Sequence, residues 1–215
     1  MKKVAIILSG CGVYDGAEIH ESVLAMLALA KNGLDYSIFA PDKVQAHVIN
    51  HLTGEVIPES RNVLIESARI ARGDISALTE LDPEDYDALL MPGGFGVAKN
   101  LSSFAFDGAD MEVDPQVAAI VKAFAESKKV IGALCIAPTV IAKVLSKVEV
   151  TIGEDEETAH AIETMGARHI PADYTEVVVD KNYKVVTGPC YMLDSTILQV
   201  AENAENVVKA MIELM

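Results

Sequence analysis

The segment Val130-Ile131-Gly132-Ala133-Leu134-Cys135-Ile136-Ala137-Pro138 decides how the chain is read. A short, wholly apolar run reaches a cysteine, and small residues and a proline follow it. The run predicts a strand buried on both faces, because a half-solvated strand would alternate apolar and polar residues. Proline is tolerated in the first turn of a helix, so Ala137–Val144 can be helical. The chain must then turn sharply at Cys135, which lifts the thiol off the sheet and sets it at a helix N-terminus. The helix end and nearby N–H groups favour the thiolate, the reactive form. The alternative is a structural core cysteine, since free cysteine is among the most buried residue types.

Outward from this elbow, apolar runs alternate with helical patterns, which predicts a mainly parallel sheet with helices on both faces. Strands are expected at Val4–Leu8, Tyr36–Ala40 and Ala88–Met91, and a hairpin at Glu176–Val179 and Lys184–Thr187. Helices are expected at Ala17–Asn32, stopped by Gly33, and at Val63–Ala71. Further helices are expected at Pro115–Ser127, with Asp114 as N-cap, and at Thr158–Met165. Ser195–Met215 closes the chain as a long helix with a break expected near Asn203. No repeat, low-complexity tract or linker divides residues 1–215, so one domain is expected.

The 215 residues are 51% apolar, enough to bury a core without disulfide or metal staples. The net charge of −15 repels phosphate backbones and argues against nucleic acid as a partner. No apolar run approaches the roughly 20 residues of a membrane-spanning helix, so no membrane association is expected. Val4–Leu8 is too short for a secretory signal and is stopped by Ser9-Gly10-Cys11-Gly12. Three scattered cysteines, Cys11, Cys135 and Cys190, do not form a disulfide framework, and a cytoplasmic location is expected. No C-x-x-C or H-E-x-x-H pattern suggests a metal, and no phosphate-loop or complete dinucleotide pattern suggests a cofactor.

Two further elements can bear chemistry. Met91-Pro92-Gly93-Gly94-Phe95-Gly96 ends another central strand, and its glycines free backbone N–H groups to face a bound atom. The N–H groups of Gly94 and Ile136 can then form an oxyanion hole, although taken alone the segment is better explained as a plain glycine turn. Glu18 and Glu21 are i and i+3 at the start of the first expected helix, so they share a face. Acidic residues there usually complement the helix dipole. If one turns inward against the nucleophile, burial raises its pKa and makes it a proton donor. His47 and His51 have metal-ligand spacing without a completing ligand nearby. His20, His160 and His169 sit in no defined signature.

Together these elements resemble the PfpI branch of the class I glutamine-amidotransferase-like superfamily, and more narrowly the ElbB-type glyoxalases. The likeness runs through Ile7–Gly16 and Glu18–Glu21, then Asn50–Glu55 and Arg61–Glu66. It continues through Pro92–Ser102, Cys135–Pro138 and Thr187–Pro189. It implies a flavodoxin-like sandwich with Cys135 as nucleophile, Glu21 as its acidic partner, and Gly94 and Ile136 as oxyanion donors. Glu18 and Asn100, the latter within the matched loop, are secondary candidates. The implied activity is cofactor-free conversion of glyoxal, and of methylglyoxal, to a hydroxy acid in a homodimer. A link to isoprenoid production attaches to the ElbB name. The chain departs from related peptidases and amidotransferases: Ile136 stands where histidine often follows the cysteine, and Gly188-Pro189-Cys190-Tyr191 holds no histidine. A base to serve a leaving amine is therefore not visible, which weakens amidase or peptidase chemistry. The competing reading is a redox-responsive binding protein whose Cys135 is oxidised and not turned over.

Overall fold

A computed structural model describes residues 2–215. Its strands are β1 (Lys3–Ile7), β2 (Asp35–Ala40), β3 (Ser76–Ala77), β4 (Ala88–Met91), β5 (Val130–Leu134), β6 (Glu149–Val150), β7 (Arg168–His169), β8 (Val178–Asp180) and β9 (Val185–Gly188). Its helices are α1 (Ile19–Lys31), α2 (Val63–Ile70), α3 (Phe104–Asp107), α4 (Pro115–Glu126), α5 (Pro138–Val144), α6 (Glu156–Thr164) and α7 (Ile197–Leu214). Seven strands form one sheet in the order β3-β2-β1-β4-β5-β9-β8, and β6 and β7 pair separately. All neighbours in the large sheet are parallel except β8 and β9, the expected hairpin. This is a flavodoxin-type α/β sandwich.

The continuous apolar runs are explained by two cores, one on each face of the sheet. Ala5, Ile7, Leu89, Met91, Ile131 and Ala133 pack toward α4 and α5, against Val121, Phe124, Val140 and Ile141. Val4, Ile6, Leu8, Leu90, Val130 and Leu134 pack toward α1 and α7, against Leu29, Val207, Val208 and Met211. Adjacent residues of one strand thus feed opposite cores, and every position of β4, and of β1 past Lys3, is buried. Each large aliphatic side chain so buried contributes about 1.5–3 kcal/mol.

Polar residues set the helix starts. Asn62 accepts a hydrogen bond from Ile65 N–H, Asp114 from Gln116 N–H, and Asp155 from Thr158 N–H. Thr196 and Gln199 form a capping box at α7. The break expected near Asn203 is not present, and α7 runs through it. Asn203 is a poor helix former because its amide competes for local backbone. Here the amide is used elsewhere: Nδ2 donates to the Glu176 carbonyl, and Oδ1 accepts from Cys190 N–H.

The strand order reverses direction between β1 and β4, and loops from their carboxyl ends diverge around a crevice, the usual ligand position in such sheets. The Ser9–Glu18 loop, the Gly93–Gly96 loop, Cys135 and Cys190 all lie at this edge. His47 and His51 sit in the irregular 41–62 arm, held by short bridges between Val44 and Asn62 and between Ile49 and Val56. Their spacing is therefore not helical.

Candidate active site

Cys135 follows β5 directly and adopts φ +58°, a left-handed conformation rare for a side-chain-bearing residue. Its N–H donates to the Gly188 carbonyl at 2.9 Å, which fixes the turn against β9. The strained backbone is the expected elbow, stabilised by its neighbours. The chain segments meet here so closely that Gly93 admits no side chain. A Cβ on Gly93 would lie 2.4 Å from Cys135 Cβ, 2.9 Å from its sulfur and 2.7 Å from Glu21 Oε2. Gly94 takes φ +96°, and a Cβ there would lie 2.4 Å from both Glu18 N and the Gly16 carbonyl oxygen.

Glu21 lies in the first turn of α1 with no exposed surface. Its Oε2 accepts from Gly93 N–H at 2.9 Å and its Oε1 from Tyr191 N–H at 3.2 Å. Its carboxyl lies beside the Cys135 thiol, the two closing on Gly93 from either side. Burial, and then the charge of Glu18, push its pKa up to about 7; the hydrogen bonds oppose this without cancelling it. Cys135 is pushed well above the ordinary thiol value by burial first and the Glu21 carboxylate second. The nearby N–H groups of Gly94 and Ile136 pull the other way. Two buried acids this close do not both ionise at neutral pH, so at least one proton stays on the pair.

That result corrects the expectation that the helix end stabilises a free thiolate. Helix α5 is only seven residues long and begins at Pro138, three residues past the sulfur. Desolvation and Glu21 outweigh it.

Of the secondary candidates, Glu18 is not on the helix face with Glu21. It is the N-cap, and its Oε2 accepts from Glu21 N–H at 2.7 Å. Asn100 is not in the site. Its Nδ2 donates to the Ser9 and Asp15 carbonyls, and its Oδ1 accepts from Ala46 N–H, so all its polar capacity ties loops together. Spacing alone did not show which way this amide turns. His20 reaches the rim, where Nδ1 lies 2.8 Å from the Tyr191 hydroxyl. His160 is exposed on α6, and His169 Nε2 is held by Ile152 N–H. Neither lines the cavity over the sulfur. Among the described residues, no three His, Cys, Asp or Glu side chains gather as a metal set.

That cavity has a volume of about 290 Å³ and is walled by Val13, Phe95, Ala98, Phe104, Ile136 and Met192. Glu18, Asp155, Thr158 and Tyr191 add its polar atoms. Phe104, Asp155, Thr158 and Met192 escape the sequence reading because α3, the start of α6 and the turn after β9 meet the elbow only in three dimensions. The Asp155-x-x-Thr158 spacing is a capping signal that could have placed the start of α6.

The DJ-1/PfpI family pattern matches residues 2–193. The mitochondrial ES1 protein homologue of Rattus norvegicus is 47% identical over 222 residues, spanning 99% of this chain and 84% of the relative. The crystal structure of an isoprenoid biosynthesis protein with an amidotransferase-like domain from Ehrlichia chaffeensis superposes with a TM-score of 0.92. That protein is 36% identical and covers 99% of this chain and 100% of its own. A glyoxalase III from Candida albicans shares the fold with a TM-score of 0.63 at 16% identity, covering 97% of each chain. The rat relative overturns the expected cytoplasmic location: a protein alike over nearly the whole chain is mitochondrial. Free thiols report a non-oxidising environment, not an address. With the elbow, the buried glutamate and the glycine turn assembled as described, and the match spanning most of its length, the chain belongs to the DJ-1/PfpI family.

Proposed function

We propose that this protein is a cofactor-independent glyoxalase of the ElbB type, converting glyoxal, and methylglyoxal with it, to the 2-hydroxy acid. The observation that carries the reading is the buried Glu21–Cys135 pair packed against Gly93 at the base of a largely apolar cavity. Such a pair supplies a nucleophile and an acid–base group without a metal or a histidine.

The steps balance without an external oxidant. With the shared proton on Glu21, the Cys135 thiolate adds to one aldehyde carbon, forming an S–C bond. The carbonyl electron pair moves to oxygen beside the Gly94 and Ile136 N–H groups, and that oxygen takes the proton from Glu21. The Glu21 carboxylate then removes the hydrogen of the sulfur-bearing carbon as a proton, giving an enediolate. The adjacent carbonyl makes that C–H acidic. Return of the proton to the neighbouring carbon, with the hydroxyl proton passing to the neighbouring oxygen, leaves a thioester, oxidised at one carbon and reduced at the other. Water cleaves the thioester, releasing glycolate and restoring the thiol.

Amide hydrolysis fits the site less well, because no histidine lines the cavity to protonate a leaving amine. A redox-sensor role also fits less well. Sensor cysteines are exposed and of low pKa, whereas Cys135 is 7% exposed with its pKa raised. The test is glycolate production from glyoxal by the purified protein. Turnover that vanishes in a folded Cys135→Ala variant supports the reading. Equal turnover in that variant, or none in the wild type, rejects it.

A further inference from the structure

From the lining of the cavity above Cys135 we infer the substrate class: uncharged 2-oxoaldehydes carrying a bulky apolar group, in preference to both glyoxal and anionic oxoaldehydes. This inference rests on the glyoxalase reading of the same site. Two observations support it.

The first is size and surface. About 290 Å³ corresponds to roughly ten waters, whereas glyoxal has four heavy atoms. The walls beyond the sulfur are Val13, Phe95, Phe104, Ile136 and Met192, which offer a substrate substituent dispersion contacts and few hydrogen bonds. A ligand with only two aldehyde groups leaves these walls wet. A ligand with an aryl or branched alkyl group covers them.

The second is charge. Glu18 and Asp155 line the cavity, and among the described residues no lysine or arginine does. Asp155 is held in its ionised form by hydrogen bonds from the side chain and backbone of Thr158. Lys99 Nζ lies over the ring of Phe95, which lines the cavity, but donates to the Tyr14 carbonyl. A substrate carboxylate or phosphate would therefore meet two acidic side chains and no cationic partner among the lining residues.

The reaction with phenylglyoxal follows the same balance. Thiolate adds to the aldehyde carbon, its hydrogen moves through Glu21 to the ketone carbon, and water cleaves the thioester to mandelate. The experiment compares kcat/KM for glyoxal, phenylglyoxal and 4-carboxyphenylglyoxal. Phenylglyoxal is expected to exceed glyoxal by about tenfold or more, the scale of apolar pocket discrimination. It is expected to exceed the carboxylated analogue by about tenfold or more, through like-charge repulsion. Asp155→Asn keeps the α6 cap and removes a charge, so the neutral-to-anionic ratio should fall at least threefold. Phe104→Ala should lower the phenylglyoxal-to-glyoxal ratio. Cys135-dependent turnover with glyoxal favoured, with the anionic analogue accepted equally, or with ratios untouched by both variants overturns the substrate class and leaves the glyoxalase reading standing. Absence of turnover with all three compounds overturns both.

Discussion

Two neighbouring strands of this protein end in the same way and serve different purposes. β5 runs into Cys135 and β9, through Pro189, into Cys190; both cysteines take positive φ, +58° and +43°, and both are buried. Burial raises both thiol pKa values well above the ordinary one. Their partners separate them. The Cys135 sulfur faces the Glu21 carboxyl, two converging N–H groups and a cavity. The Cys190 sulfur, with no exposed surface, lies 3.2 Å from Asn203 Oδ1, and nothing opens onto it. A strained elbow therefore does not make a nucleophile. On the proposed reading, stabilising donors, an acid–base partner and access do. The second elbow serves the first, because it aims Tyr191 N–H at Glu21 Oε1.

The largest expected contrast is between the two thiols in catalysis. Cys135→Ala should lower glyoxal turnover by about 10³-fold or more with the fold retained, and Cys190→Ala should stay within a few-fold of wild type. Steady-state assays with circular dichroism check both. Near-normal turnover in Cys135→Ala, or total loss in a folded Cys190→Ala, would erase the distinction.

Next comes the partner. Glu21→Gln should lose about 10²-fold or more, the usual scale of acid–base help. Glu18→Gln, which changes only the cap and a neighbouring charge, should lose clearly less. A more damaged Glu18→Gln enzyme would mean that the wrong carboxylate has been assigned.

A third contrast is in stability. The pKa of Glu21 rises from 4.5 to about 7 on folding, so the folded state binds the proton more tightly. The stability this supplies is fully present below about pH 4.5 and is lost as pH rises through about 7. The span is on the order of 3 kcal/mol. Glu21→Gln lacks the titration, so its stability relative to wild type should increase between pH 4.5 and 8. Denaturant unfolding at the two pH values measures it, and parallel pH profiles for both proteins would rule the buried acid out.

The smallest effect belongs to Cys190 itself. Cys190→Ala removes one buried S–H contact to Asn203 and should cost about 1 kcal/mol. A loss several times larger would show that the second elbow carries more of the fold than its contacts indicate.

The same contrast shows what was legible in the sequence. β4 and β5 lie where the apolar runs of Ala88–Met91 and Val130–Leu134 placed them, because strands buried on both faces leave an unbroken apolar signature. The sharp turn at Cys135 was legible from the strand–small–proline pattern, though not its positive φ. Nothing comparable marks Cys190, whose elbow is supported by Asn203 from a helix beginning seven residues later. Asn203 misled in the same way: its low helix propensity predicted a break, while its real partners lie far away in sequence. Asn100 matched a family motif, yet its hydrogen bonds show it to be a loop buckle. The cavity walls were hidden because Phe104 and Asp155 belong to segments whose own pattern says only helix or turn.

The most direct test of the shared proton is the rate of Cys135 alkylation against pH, read by mass spectrometry in wild type and Glu21→Gln. If Glu21 and Cys135 hold one proton between them, wild-type reactivity should rise through about pH 7 to a plateau as the first proton leaves the pair. It should rise again above pH 9, when the second leaves. Glu21→Gln should show a single rise at lower pH than that upper step, because the carboxylate that repels the thiolate is gone. One identical single-step curve in both proteins would contradict the coupled pair and, with it, the assignment of Glu21 as the partner of the nucleophile.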